Sequence, residues 1–223
     1  MRSTVSFTPV HGTWGFDGVP TPDEWTHPLS ALSQFLRTQG LAARPPFYWS
    51  GGLDGLFWPW MRTSERKHLT WMTAGIALAE RLRSLPLRDR TVFAHSHGGN
   101  VALYAAAQGV YIPVLITFMM PIREDMLEIV KKARPCLSTW IHVHSDTSDR
   151  VQWMGELLDH HLGIVRGAIW KVKGHVVEAA DRNMQIPKVG HSALLTDPAK
   201  FKWWVDSGLI EIVKDTLTQR ETS

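Results

Sequence analysis

The 223-residue chain carries 24 Lys and Arg against 21 Asp and Glu, a formal net charge of +3, and is 44% hydrophobic and 20% charged. Those proportions suit a single globular domain over 1–223 with a sizeable core, and they exclude a disordered or low-complexity chain. The basic residues are scattered, and the densest run, Lys131-Lys132-Ala133-Arg134, reads as a solvated helix end, so no nucleic-acid partner is expected.

Strand-like and helix-like segments alternate along the chain, which predicts an α/β fold with a mainly parallel sheet. Thr4 to Val10 reads as the opening strand. Thr21-Pro22-Asp23-Glu24 has the form of a capping box with proline at the first helical position, and Leu29, Leu32, Phe35 and Leu36 follow at helical spacing until Gly40. Pro46 to Ser50 predicts a second strand, and Gly51 to Lys67 an irregular aromatic stretch. Leu69, Met72, Ile76, Ala79, Leu82 and Leu85 lay an apolar stripe on a long helix. Thr91 to His95 is a third strand, Asn100 to Gln108 its helix, and Pro113 to Met119 an apolar fourth strand of the kind buried on both faces. A helix over Glu124 to Arg134 and a fifth strand over Trp140 to His144 follow. Beyond residue 150 the pattern predicts a helix over Gln152 to His161, strand or irregular structure over 164–186, and helices over Asp197 to Val205 and Ile210 to Gln219.

Ala94-His95-Ser96-His97-Gly98 is one substitution away from G-x-S-x-G, and it stands where a strand turns into a helix. That turn projects a serine Oγ free of the sheet and demands small neighbours, which Ala94, Gly98 and Gly99 supply. An acyl-transfer site also needs two backbone N–H groups aimed at the developing oxyanion. One would come from His97, after the nucleophile. The other would come from Thr13, in the loop Val10-His11-Gly12-Thr13-Trp14-Gly15 that closes the first strand.

VHGTWG near the start, the WSG segment at Trp49 to Gly51, and AHSHGGNVAL resemble the α/β-hydrolase superfamily, and within it the compact lipase- and esterase-like members. The resemblance implies a three-layer fold with helices on both faces of the sheet. With so little chain before Val5, the expected sheet lacks the first two strands of the full fold and has about six. It also implies a Ser-His-Asp triad in the chain order nucleophile, acid, histidine. The acid then falls after the fifth strand, where Asp149, in Asp149-Arg150-Val151, is preferred and Asp146 is the alternative. The histidine falls before the last helices, where His191 is preferred over His175. His95 and His97 line the pocket or pack, and His11 braces the oxyanion loop.

Leu53 to Met61 holds Phe57, Trp58 and Trp60 between a strand and a helix. As a cap or lid near 51–67, these rings and Trp14 would line an apolar substrate pocket. Alternatively the rings pack beneath a fixed loop, or meet a partner or lipid. Eleven histidines include His142-x-His144 and His160-His161, but no H-E-x-x-H or cysteine-rich set accompanies them, so no metal is expected.

The expected function is a serine hydrolase of carboxylic esters, acting on a small-molecule ester or lipid-like substrate without a cofactor. Thioester or amide cleavage and acyl transfer use the same groups, and a non-catalytic binding protein on the same fold is the rival from another class. One cysteine, Cys136, excludes an internal disulfide. The N-terminal MRSTVSFTPVHG lacks the apolar core of a signal peptide and no run is long enough to span a bilayer, so a cytoplasmic location is the default expectation. Oligomeric state is not legible.

Overall fold

The computed structural model describes residues 5–12, 24–49, 63–122, 126–145, 176–186 and 189–221. The strands are β1 (Val5–Val10), β2 (Leu41–Ala43), β3 (Thr91–His95), β4 (Ile112–Phe118), β5 (Leu137–Ser145) and β6 (Arg182–Ile186). The helices are α1 (Ala31–Thr38), α2 (Thr63–Arg83), α3 (Gly98–Ala107), α4 (Leu127–Ala133), α5 (Ala193–Thr196), α6 (Lys202–Asp206) and α7 (Leu209–Glu221). All strand pairs are parallel, in the order β2-β1-β3-β4-β5-β6. The three-layer α/β architecture with a six-stranded parallel sheet agrees with the sequence expectation.

Alternation along each strand feeds two cores. Val92 and Ala94 of β3, Leu115 of β4 and Trp140 of β5 pack with Trp71, Leu78 and Leu103 of α2 and α3. Phe93, Val114, Ile116, Phe118, Ile141 and Val143 face the other way, toward Leu32, Leu36, Trp204 and Ile210. The run Ile112–Phe118 is buried throughout, as a strand covered by helices on both faces requires.

Several elements depart from the sequence expectation. The first helix begins at Ala31, because Ser30 caps it by accepting from the Ser33 N–H at 3.1 Å, and Glu24 to Ser30 form turns around Pro28. Thr21, Pro22 and Asp23 lie outside the described residues. The second strand is Leu41–Ala43, not Pro46 to Ser50. Pro45 and Pro46 have no N–H to give a ladder, and the following segment meets the sheet only as a bridge between Val10 and Phe47.

α2 starts at Thr63, inside the stretch expected to be irregular. Its buried stripe is Trp71, Ala74, Leu78 and Leu82, while Met72 and Ile76 are exposed. The register is set by Gly75, where a Cβ would overlap Tyr104 and stand 3.1 Å from the Ala105 nitrogen, so α2 and α3 pack nearly backbone to backbone. The expected helix over Asp197 to Val205 is divided. A 3-10 turn at Pro198–Lys200, capped by the Asp197 carboxylate on the Ala199 N–H, precedes α6. The helix expected over Gln152 to His161 lies outside the described residues.

Candidate active site

The strand order carries the first pointer. From β1 the chain moves outward to β2, then returns to place β3 on the other side of β1. The switch point is therefore the crevice between the carboxyl ends of β1 and β3, where open α/β sheets bind ligands. Gly12 follows β1 there, and Ser96 follows β3.

Ser96 has φ 51°, a left-handed conformation unfavourable for a residue with a Cβ. The surroundings hold it there. Its N–H donates to the Phe118 carbonyl of β4 at 2.8 Å, and its carbonyl accepts from the Gly99 N–H at 3.0 Å in the first turn of α3. Met119, at the corresponding end of β4, also has a positive φ of 50°, with its N–H donating to the Val143 carbonyl at 2.8 Å. The strand–serine–helix turn thus stands on a sheet edge that is tied strand to strand.

The small residues around it have distinct contacts. A Cβ on Gly98 would overlap the His11 carbonyl oxygen and stand 2.8 Å from that of Val10, so α3 begins against the β1 backbone. A Cβ on Gly99 would run into the Met120 side chain. One on Gly12 would stand 2.9 Å from the Ser96 Cβ. Ala94 is buried in register with Val10 and Thr117.

His11 anchors the start of the loop after β1. Its Nε2 accepts from the Trp49 N–H at 3.0 Å, which puts the proton on Nδ1, and Nδ1 then donates to the Gly12 carbonyl. The Trp49 indole N–H donates back to the His11 carbonyl at 3.0 Å, with the two rings stacked at 5.6 Å. Beside them, burial raises the Tyr48 phenol above its ordinary range, the hydrogen bond with Thr26 opposing it. His97 caps α3 from a helical backbone conformation, and its ring stacks on Trp71 at 5.0 Å.

His191 reaches the same crevice from the segment after β6. Its ring centroid is 4.7 Å from that of His95, the residue before Ser96, and its backbone carbonyl meets His95 Nε2 at 3.0 Å. The structure therefore brings Ser96, His97, Gly12 and His191 to one end of the sheet. Asp149, Asp146, Thr13, Trp14, Phe57, Trp58, Trp60 and His175 lie outside the described residues.

No family model matches the chain, and no curated protein does. Among solved structures, a dienelactone hydrolase-like promiscuous phosphotriesterase from metagenomic libraries superposes with a TM-score of 0.51 at 12% sequence identity, over 97% of this chain and 88% of that one. The chain has the α/β-hydrolase fold.

The β3–Ser96–α3 turn is a sharp strand-to-helix turn with a left-handed residue at its tip. The pair His142 and His144 points into the layer of Trp140. Thr117 Oγ1 receives the Trp140 indole N–H at 3.1 Å and lies 2.9 Å from His142 Nδ1, and His144 Nδ1 lies 3.2 Å from the Ser145 carbonyl. Among the described residues no three His, Cys, Asp or Glu side chains come together as a metal site would need, and no helix is long and apolar enough to cross a membrane. Two contacts escaped sequence reasoning: His95 to the His191 carbonyl, and the Ser145 hydroxyl to the Val189 carbonyl at 2.8 Å. Neither has a sequence signal, since both join side chains to backbone across long separations.

Proposed function

We propose that the chain is a serine hydrolase of carboxylic esters, with Ser96 as nucleophile. The observation that supports it is the left-handed Ser96 at the switch point of the sheet, with His191 drawn to its flank through His95. A serine held at φ 51° has a cost of about 1–3 kcal/mol that packing alone does not require, and such strain concentrates at sites of chemistry.

In the proposed reaction Ser96 Oγ attacks the ester carbonyl carbon while His191 takes its proton. The carbonyl oxygen becomes an oxyanion held by the backbone N–H groups of His97 and Thr13. The tetrahedral intermediate collapses, and His191 returns the proton to the leaving alkoxide, which departs as the alcohol. Water, deprotonated by His191, then attacks the acyl-enzyme and releases the acid and free Ser96. Asp149, or Asp146 in its place, holds the His191 tautomer and stabilises the imidazolium. Trp14, Phe57, Trp58 and Trp60 line the acyl side of the pocket. Thioesters, amides and acyl transfer to an alcohol differ only in the leaving group or acceptor.

The test is turnover of p-nitrophenyl esters from acetate to laurate by the wild type and by Ser96→Ala. The proposal expects turnover by the wild type and a loss of about 1,000-fold or more in kcat for the variant. Equal turnover by both proteins, or none by the wild type, would overturn it.

A further inference from the structure

Each backbone carbonyl from Val189 to Ser192 is engaged in a hydrogen bond. The Val189 carbonyl accepts from the buried Ser145 hydroxyl at 2.8 Å, and the His191 carbonyl lies 3.0 Å from His95 Nε2. The Gly190 carbonyl accepts from the Ala193 N–H at 3.1 Å, and the Ser192 carbonyl from the Leu195 N–H at 2.9 Å. These last two bonds are a local turn and the start of α5. The first two are long-range ties, from the ends of β5 and β3, to carbonyls two residues apart.

We infer that His95 and Ser145 are positioning residues that suspend the 189–191 segment from two strand ends and so fix where the His191 imidazole stands. Each donor is itself rigid. His95 ends β3, is 7% exposed, lies edge-on to Trp25 at 6.3 Å and faces Gly12. Ser145 ends β5 and is fully buried, with its N–H donating to the Met119 thioether at 3.1 Å. A carbonyl only accepts, so His95 Nε2 must carry a proton, and it does so in the imidazolium as well as in that neutral tautomer. The tie is thus independent of the charge on His95.

The two donors also relate the three parts of the site. His95 is bonded to the backbone of Ser96 on one side and to the His191 carbonyl on the other, so nucleophile and base share one strut. Ser145 is the last residue of β5 before Asp146, so the base and the acid loop share the second. A site whose reacting atoms must align within a fraction of an ångström needs such supports, since a shift of about 1 Å costs about 100-fold in rate.

For its effect on rate the inference rests on the serine-hydrolase proposal, so its test has a readout that does not. Hydrogen exchange of the 189–193 amides is measured by mass spectrometry in the wild type, His95→Phe, His95→Gln and Ser145→Ala, alongside p-nitrophenyl butyrate kinetics across pH. His95→Phe keeps a ring and removes the donor, and His95→Gln keeps an N–H at similar reach. The expected result is exchange at 189–193 faster by about 10-fold in His95→Phe and Ser145→Ala, with exchange near the wild-type rate in His95→Gln. In kinetics, His95→Phe loses about 10- to 100-fold in kcat with KM within about twofold, the acid limb of its pH profile moves, and His95→Gln recovers most of the loss. Wild-type exchange in His95→Phe or Ser145→Ala overturns the inference whether or not the protein cleaves esters. A wild type that cleaves no ester overturns the hydrolase proposal alone, with the exchange result still deciding the suspension of His191. Should His95→Phe fail to fold, Ser145→Ala, which removes a single oxygen, decides the question on the same criterion.

Discussion

Gly12 and Ser96 approach so closely that a Cβ on Gly12 would stand 2.9 Å from the Ser96 Cβ and 3.2 Å from the His95 carbonyl oxygen. Gly12, where the chain leaves β1, and the turn leaving β3 are therefore packed directly against each other. Gly12→Ala cannot be absorbed without moving one of them. The expected outcome is a fall of about 10-fold or more in kcat/KM on p-nitrophenyl esters, with the thermal midpoint lowered. Steady-state kinetics and a melting curve check both.

Glycines near the site differ in what surrounds them. At Gly98 a Cβ would meet backbone oxygens of Val10 and His11, which cannot swing aside, whereas at Gly99 it would meet the flexible Met120 side chain. Gly98→Ala should lose about 3 kcal/mol, toward the upper end of overpacking costs, and Gly99→Ala about 1 kcal/mol. At Gly190 no atom of the described residues lies within 4 Å of the new Cβ, and Gly190→Ala should stay within about 0.5 kcal/mol. Urea denaturation of the three variants gives the order directly.

Asn100, in the first turns of α3, is fully buried, and among the described residues neither side-chain amide atom has a hydrogen-bond partner. Replacing an unsatisfied buried polar group by an apolar one of similar shape removes a desolvation penalty. Asn100→Leu should therefore raise stability by about 1 kcal/mol in the same urea assay. A loss of similar size would show that the amide holds an ordered water that the fold depends on.

His11 gives the opposite case. Its Nε2 is the acceptor for the buried Trp49 N–H. His11→Leu leaves that N–H without a partner and should cost about 1–3 kcal/mol. Its ester-hydrolysis rate should fall as well, because the start of the proposed oxyanion loop is tied through the same imidazole.

Much of this architecture is legible in the sequence because its signals are local. TVFAH followed by SHGGNVALYAAA predicts a buried strand, a sharp turn with small residues and a helix, and the observed elements are Thr91–His95 and Gly98–Ala107. The misplaced second strand shows the limit. The aromatic character of Pro46 to Ser50 suggests strand, but two prolines deny it a ladder, and the short Leu41–Ala43 takes the edge with too few residues to show a period. In α2 the stripe through Met72 and Ile76 competes with the one through Trp71 and Leu78, and only the approach of α3 at Gly75 decides between them. His95 and Ser145 show nothing in sequence of their bonds to His191 and Val189, since the partners are carbonyls far along the chain.

The most direct test of Ser96 as nucleophile is covalent. The protein is treated with a fluorophosphonate probe, digested, and the adduct located by mass spectrometry. The account predicts one stoichiometric adduct on Ser96, formed more slowly in His191→Ala and absent in Ser96→Ala. An adduct on another residue, or none on a folded wild type, would contradict it.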